Sequence, residues 1–397
     1  MNWPEIQRRI PLPLVGCLLG VGSYLNLAYP NNSESATASA ARAIWAGNPA
    51  DATAPLLQAL RLDPGSPERW TDLAESFYET GRTNDARYCM AQAILRAPGL
   101  PHIAMRAAGM YFRLGDTAAA LRTTTRIFAE TREYDANVFQ LWQRLGGPAE
   151  QVFGQNIGTD ASLGRNYFDF LVQSGDTAAV DAAWSALEVR NMAGFAESKL
   201  YAESLTGERN YDQAATIEAG ILPQGTMDGG FEGDFANNGL GWHRDSIPGV
   251  AVTRDVRIRY AGNSALRLEF DGSSGNEFNH VSQTRALAPG VWSLRAMVRT
   301  EFQNSRATSP GYGNDLRTSP GIGLRIVDVE SGNLLANTPR VNVSHDWAPI
   351  EAMVVITPPH ARLVRIEVIR PAFSDLALRM IGTVWVDDVT LLRKVHS

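Results

Sequence analysis

The chain of 397 residues has very little lysine, cysteine or histidine, and each shortage excludes a kind of chemistry. Only Lys199 and Lys394 are lysines. A P-loop lysine after a glycine-rich turn is therefore absent, and Schiff-base chemistry has almost no candidate. Cys17 and Cys89 lie in separate predicted segments, so we expect no disulfide framework. No two of the six histidines have metal-ligand spacing.

Catalytic signatures are also missing, since the sequence has no HExxH, CxxC pair or GxSxG elbow. A glycosidase needs two carboxyl groups at a defined separation, and Glu301 with Glu367 is a pair that the sequence neither excludes nor favours. We therefore expect a non-enzymatic protein, with a polysaccharide-modifying hydrolase as the alternative. The net charge of −6 and the lack of a basic block exclude a generic nucleic-acid binder.

The composition changes along the chain. Residues 31–220 hold 36 alanines and 5 valines, whereas residues 228–397 hold 14 alanines and 18 valines. Alanine favours helices and valine favours pleated sheets, so a helical region precedes a β-region. The sequence thus predicts a multidomain α + β protein. Its predicted parts are an N-terminal signal or anchor segment, a solenoid, a Pro/Gly linker and a β-sandwich, at residues 1–32, 33–221, 222–226 and 227–397.

The N-terminal segment has the features of a membrane anchor. Residues 10–29 are uncharged and mostly apolar, and twenty residues of helix can span the hydrocarbon core. Arg8 and Arg9 precede them, so the positive-inside rule places the rest of the chain outside the cytoplasm. Two alternatives remain open. One is a cleaved signal peptide, which would give a secreted protein. The other is a lipoprotein, because residues 14–17 resemble a lipobox ending at Cys17.

The helical region contains an internal repeat. Glycines recur at Gly47, Gly81 and Gly115, and further matches at this offset are Ala52, Ala86 and Ala120, Ala40, Ala74 and Ala108, and Pro64 and Pro98. The matching residues are 34 positions apart. This spacing is the period of tetratricopeptide repeats. Residues 33–66, 67–100 and 101–134 therefore resemble three consecutive tetratricopeptide repeats and predict an α-helical tetratricopeptide solenoid. The third copy departs from the pattern at Thr124, where an aromatic residue is expected.

Repeat solenoids present a concave groove to partner proteins, so the resemblance implies a protein partner. First-helix positions supply the groove, and its candidate residues are Thr71, Glu75, Tyr78, Met105 and Phe112. These side chains are acidic or apolar. We therefore do not expect an acidic C-terminal tail as the ligand.

Short segments of alternating hydrophobicity follow residue 227, separated by turn signals such as Asp271-Gly272 and Pro289-Gly290. This pattern predicts an antiparallel β-sandwich of the jelly-roll type. The predicted strands are residues 264–270, 281–286, 292–300, 322–328, 350–356, 363–369 and 383–391.

Three motifs of this region resemble carbohydrate-binding modules. They are the opening Asp228-Gly-Gly-Phe231-Glu232 with Gly241-Trp242, the strand Ala288–Leu294, and the closing Gly382–Leu391 with its Asp387-Asp388-Val389. They follow the family's order from one end of the region to the other. The resemblance implies a galactose-binding-like jelly roll with a polysaccharide ligand.

Candidate ligand residues are the polar side chains that alternate with the apolar ones. Arginine and amide groups offer planar donors to hydroxyls or acidic sugars. The candidates are Asn279, His280, Gln283, Arg295, Arg299, Arg325 and Arg370. The alternative is a solvated sheet face or internal salt bridges. Tryptophans are expected in the core instead, namely Trp242, Trp292, Trp347 and Trp385.

The resemblance also implies a structural calcium ion, for which Glu232 and Asp388 are the matching carboxylates. Capped turns are the alternative, and no other cofactor is expected. The full layout resembles bacterial proteins of exopolysaccharide or O-antigen assembly and export. It implies a scaffold in the cell envelope, with a single-pass inner-membrane anchor and an extracytoplasmic bulk. A third possibility is a purely protein-binding scaffold whose sandwich is a spacer.

Overall fold

The computed structural model describes residues 32–145, 149–236, 239–303, 321–374 and 379–394. They form two compact units, which divide between Phe170 and Leu171. The predicted anchor at residues 10–29 lies outside the described residues. Within them, no helix has both the length and the apolar character needed to cross a bilayer.

The first unit begins with three helical pairs. The helices are α1 (Asn32–Trp45), α2 (Pro49–Leu62), α3 (Pro67–Glu79), α4 (Thr83–Arg96), α5 (Pro101–Arg113) and α6 (Thr117–Glu130). The first residues of α2, α4 and α6 keep the repeat spacing, as do those of α3 and α5, so the predicted repeat is confirmed. Gly47, Gly81 and Gly115 close the turn within each pair at φ +80°, +77° and +71°. Glycine adopts this left-handed conformation without steric cost.

Small side chains let the paired helices approach closely. Ala52, Ala74, Ala86 and Ala108 are completely buried. Larger apolar residues fill the remaining space, among them Leu56, Leu73, Phe77, Met90 and Met110. A bigger side chain at one of the alanines would force the helices apart, which typically costs about 1–3 kcal/mol.

An aromatic insertion interrupts the repeat. It contains α7 (Asp135–Arg144), α8 (Ala149–Val152), a π-helical turn (Phe153–Ile157) and the start of α9 (Ala161–Ser174). Trp142 is fully buried, and its indole N–H donates a 2.9 Å hydrogen bond to the Thr124 hydroxyl. Thr124 therefore replaces the aromatic residue of the repeat because it accepts a bond from the tryptophan of the insertion.

The repeat spacing returns in the second unit. Its helices are α10 (Thr177–Val189), α11 (Phe195–Gly207) and α12 (Tyr211–Ile221), and α12 begins one repeat period after α10. Gly175 closes one turn at φ +73°, and Arg209, one repeat period further along, takes the same conformation at φ +63°. The predicted solenoid, residues 33–221, is thus shared between the two units.

Residues 227–394 form the predicted β-sandwich from two antiparallel sheets of five strands. Sheet A has the order β1-β4-β9-β6-β7 and sheet B the order β2-β3-β10-β5-β8. The strands are β1 (His243–Arg244), β2 (Val250–Asp255), β3 (Ala265–Asp271), β4 (Phe278–Leu287), β5 (Gly290–Phe302), β6 (Gly323–Asp328), β7 (Leu334–Asn337), β8 (His345–Ile356), β9 (Arg362–Arg370) and β10 (Ile381–Arg393). All seven predicted strands are present, with ends shifted by a few residues. Apolar side chains from both inner faces form one core.

Helix α12 covers part of the β4 edge in the second unit. Glu218 of α12 is fully buried, and one carboxylate oxygen accepts bonds from Arg285 Nε at 2.7 Å and from the Ala286 amide at 3.0 Å. Arg285 also donates to the Gly225 carbonyl. Burial raises the pKa of Glu218, while Arg285 acts in the opposite direction. The helix thus supplies an acceptor to a strand edge that β1 does not reach.

We predict that Glu218→Ala lowers the free energy of unfolding of the second unit by about 3–5 kcal/mol, because it leaves the buried Arg285 without its counter-charge. Urea denaturation followed by tryptophan fluorescence measures the change. Asp234→Ala is the control, since it removes an exposed carboxylate from a salt bridge with Arg254. It should cost less than about 1 kcal/mol. Equal losses in both variants would contradict the prediction.

Candidate functional site

The predicted groove of the first unit lies on helices α3 and α5. Glu75, Tyr78, Met105 and Phe112 are all partly exposed there. Thr71 differs, because it is completely buried and its hydroxyl donates to the Glu68 carbonyl at 2.7 Å. Thr71 therefore stabilises its own helix and does not face a partner.

Charged pairs at the repeat spacing connect α3 to α5. Arg106 lies 2.8 Å from Asp72 and Arg113 lies 3.9 Å from Glu79. His102 is 3.6 Å from Glu68. Each pair joins residues one repeat period apart, so each links the same position in consecutive repeats. Residues considered one at a time do not reveal this ladder, although charges of opposite sign at the repeat offset are readable in the sequence.

Arg113 also organises the groove residues. Its guanidinium pairs with Glu75 and lies 4.7 Å from the centre of the Tyr78 ring. Between α1 and α3, a cleft is lined by Ile44, Pro49, Asp72, Glu75, Glu79 and Arg106. Three carboxylates and one guanidinium line this cleft, so its surface is acidic with an apolar wall. This agrees with the predicted character of the groove.

Two of the glycan candidates lie inside the sandwich. Gln283 is 1% exposed, and its side-chain amide exchanges two hydrogen bonds with the backbone of Met227, at 3.0 and 2.7 Å. Arg370 is also 1% exposed and donates to the carbonyls of Ser274, at 3.1 Å, and Asn276. Burial lowers the pKa of Arg370. The expectation of a solvent-facing position is wrong for both, because they alternate in phase with core residues and hold loops in place.

Arg325 lies on the outer face of sheet A, as predicted. It belongs to a row of residues that are partners across neighbouring strands. In order along the row they are His243, Ser282, Glu367, Arg325 and Asn337. Arg325 pairs with the buried Glu367 and with Glu277 at 2.7 Å. Burial opposes the charged form, but the two carboxylates raise the pKa of Arg325 overall.

Other arginines gather around the same carboxylates. Arg365 donates to Glu367 at 2.6 Å and keeps 42% of its side chain exposed. The pKa of Arg340 is lowered mainly by burial and, to a smaller extent, by the positive charge of Arg325. This group of Arg325, Arg340, Arg365, Glu277 and Glu367, here called the arginine cluster, has three guanidiniums against two carboxylates. Asn279 and His280 are partly exposed at the start of β4 on the same sheet.

Arg295 and Arg299 lie on the other outer face, that of sheet B. Arg295 is 3.7 Å from Asp388, and Arg299 pairs with Glu301 at 2.7 Å and Asp346 at 3.4 Å. The hydrophobic core separates the two outer faces, so the seven candidates do not form one site. For the same reason, Glu301 and Glu367 cannot act as a catalytic pair, since they lie on different sheets.

The tryptophans also divide between the core and the outer faces. Trp242 is in the core, as predicted, with its ring centre 4.9 Å from that of Phe231. Trp385 is 3% exposed, yet it lies on the outer face of sheet B, where its N–H donates to Asp255 at 2.9 Å. Trp347 is partly exposed beside Tyr260.

The two carboxylates that the resemblance implies for calcium, Glu232 and Asp388, have partners within the protein. Asp388 faces Arg295, while Glu232 accepts a 2.7 Å bond from the Asn263 amide. Asp387 is the buried carboxylate of the pair, a residue that the motif contains but the prediction passed over. No group of three or more His, Cys, Asp or Glu side chains suited to a metal occurs among the described residues.

Backbone amides surround the carboxylate of Asp387. Its carboxylate accepts from the amides of Tyr260, Ala261 and Asp388, at 2.7, 3.0 and 2.7 Å. Burial raises the pKa of Asp387, against these three bonds, which lower it. The carboxylate thus ties the loop between β2 and β3, residues 256–264, to the outer face of sheet B.

No protein-family model matches the chain, and no curated protein matches it. Among solved structures, pilF of Pseudomonas aeruginosa is similar at 15% identity and a TM-score of 0.28, covering 48% of this chain and 91% of its own. TmCBM61, solved with β-1,4-galactotriose, is similar at 19% identity and a TM-score of 0.27, covering 43% of this chain and 98% of its own. The CBM22-1 xylan-binding domain of Paenibacillus barcinonensis Xyn10C is similar at 12% identity and a TM-score of 0.23, covering 41% of this chain and 89% of its own.

At these identities the similarities concern the fold alone, and we draw no functional conclusion from them. The chain's own geometry defines its class. Its described residues form helical pairs that resemble tetratricopeptide repeats, followed by a C-terminal β-sandwich of two antiparallel sheets.

We predict that Asp387→Ala speeds hydrogen exchange at the amides of residues 256–263, because Tyr260 and Ala261 lose their acceptor. Hydrogen–deuterium exchange with mass spectrometry measures the change. Asp388→Ala is the matched control. Its carboxylate faces Arg295, so protection of the loop should stay unchanged. Faster exchange in the control alone would show that the loop depends on the other aspartate.

Proposed function

We propose that the protein is a non-catalytic scaffold of the bacterial cell envelope that binds a protein partner through its repeats and a polysaccharide through its sandwich. The arginine cluster on sheet A carries the second part of this proposal. Glu277 and Glu367 hold the guanidinium of Arg325, and Glu367 also holds that of Arg365. Guanidinium groups pair bidentately with carboxylates. The ligand best suited to this face is a polysaccharide with carboxylate-bearing sugars.

The acidic cleft between α1 and α3 supports the protein-binding role. Its carboxylates and the exposed Ile44 suit a partner segment with basic and apolar side chains. A role in polysaccharide assembly or export, with an inner-membrane anchor and the bulk extracytoplasmic, rests on the sequence resemblance and on residues 10–29. The absence of catalytic activity is part of the same proposal.

We predict that Arg365→Ala and Arg325→Ala each weaken binding to polygalacturonate about tenfold, since each removes one charge-assisted contact worth about 1.4 kcal/mol. Affinity electrophoresis of the full chain measures the change. Binding should also fall as salt is raised. Arg82→Ala, which removes an exposed arginine from the first unit, serves as the control. Wild-type binding in both sheet A variants would exclude this face as the glycan site.

We predict that a photo-reactive amino acid in place of Tyr78 crosslinks to a partner protein in intact cells. The same substitution at Tyr88, which is 59% exposed on the second helix of that repeat, should give little product. Because Arg113 contacts both Tyr78 and Glu75 of the acidic cleft, crosslinks from Tyr78 should also decrease when Glu75 and Glu79 become glutamines. Stronger crosslinking from Tyr88 would place the partner on another surface.

A further inference from the structure

An aromatic pair lies on the outer face of sheet B, opposite to the arginine cluster. Tyr260 comes from the loop between β2 and β3, and Trp347 from the start of edge strand β8. Their ring centres are 5.9 Å apart with an interplanar angle of 59°. Tyr260 is 47% exposed, and Val256 of the same loop is 66% exposed. Nothing in the described core requires these rings, so their positions call for another explanation.

Three carboxylates hold the loop that carries Tyr260. Asp387 accepts from the amides of Tyr260 and Ala261, and Asp255 accepts from those of Arg257 and Ile258, at 2.8 and 3.1 Å. Glu232 accepts from Asn263. Five backbone donors are thus fixed within seven residues. A ring presented on a rigid backbone loses little conformational entropy when a ligand binds, so the arrangement is pre-organised.

Polar groups border the aromatic pair. Arg299 lies on the neighbouring strand β5 and stacks 5.6 Å from the ring centre of the buried Trp385. It pairs with Asp346, which precedes Trp347 and has 82% of its side chain exposed. Arg299 also pairs with Glu301, so the surface combines two partly exposed rings with one guanidinium and two carboxylates and carries no excess positive charge. This mixture suits a neutral ligand that has an apolar face and hydroxyl groups at its rim.

We infer that Tyr260 and Trp347 form a second sugar-contact site, which takes a pyranose unit of a neutral polysaccharide. The C–H face of the sugar stacks on the rings, and its hydroxyls hydrogen-bond to Arg299 and Asp346. The inference rests on the proposed glycan-binding function of the second unit, but not on the arginine cluster. Two sites on opposite faces would let one sandwich contact two chains, or two parts of one chain, with a gain in avidity.

Affinity electrophoresis of the full chain tests the inference with two kinds of probe: neutral galactan, xylan and dextran, and acidic polygalacturonate. Wild type should be retarded by at least one neutral polymer. Tyr260→Ala and Trp347→Ala should each weaken that binding about five- to tenfold and leave polygalacturonate binding unchanged. Arg325→Ala should show the reverse pattern. Phe195→Ala, which removes a 53% exposed ring from α11, is the matched control and should change neither.

Tyr260→Leu guards against a folding defect, because it keeps an apolar side chain but removes the ring. It should weaken neutral binding as Tyr260→Ala does, with the thermal melting temperature of wild type. Unchanged neutral binding in either Tyr260 variant would overturn the inference, as would binding of polygalacturonate alone by wild type. The latter result would leave the proposed function standing. Failure of wild type to bind any polymer would overturn both.

Discussion

The second unit depends on a single buried carboxylate, that of Glu218. It neutralises Arg285, which sits in phase with core residues of β4, and it accepts the amide that the short β1 leaves unpaired. Removing water from two such charges is costly, and their attraction and the hydrogen bonds to one Glu218 oxygen offset that cost. The last helical pair and the sandwich belong to the same compact unit, and this ion pair joins them. A fragment cut at residue 227 would lack the counter-charge of its own β4 strand.

Much of the fold could be predicted because its causes are local and repeated. Gly47, Gly81 and Gly115 mark one turn in each repeat. The alternation of apolar and polar side chains in β5 and β9 marks the inner face of each of the two sheets. The return of the repeat in the second unit left a weaker signal. There Arg209 takes the left-handed position that glycine holds elsewhere. Its backbone conformation is set by the helices on either side, which a search for glycine does not detect.

The candidate site was harder to predict, for two different reasons. Gln283 and Arg370 are polar, but their positions along β4 and β9 are in phase with Val281 and Val368, so strand parity already indicated the core. Parity alone could not place Trp385, which is out of phase with Val384 and Val386. It faces outward and is nevertheless buried, in a region where the loop of residues 256–264 is tied to the same face. That coverage is long-range and has no counterpart in the local pattern.

The ladder of charges in the first unit makes the order of its repeats part of the sequence. Helix α3 supplies the acidic partners and α5 the basic ones, and three of the pairs join matching positions. The repeats share a shape but are not interchangeable. If a further repeat were inserted between the second and third copies, the carboxylates of α3 would lose their basic neighbours on α5. The charges thus fix which two copies are neighbours, and a further repeat keeps these pairs only where it does not separate the second copy from the third.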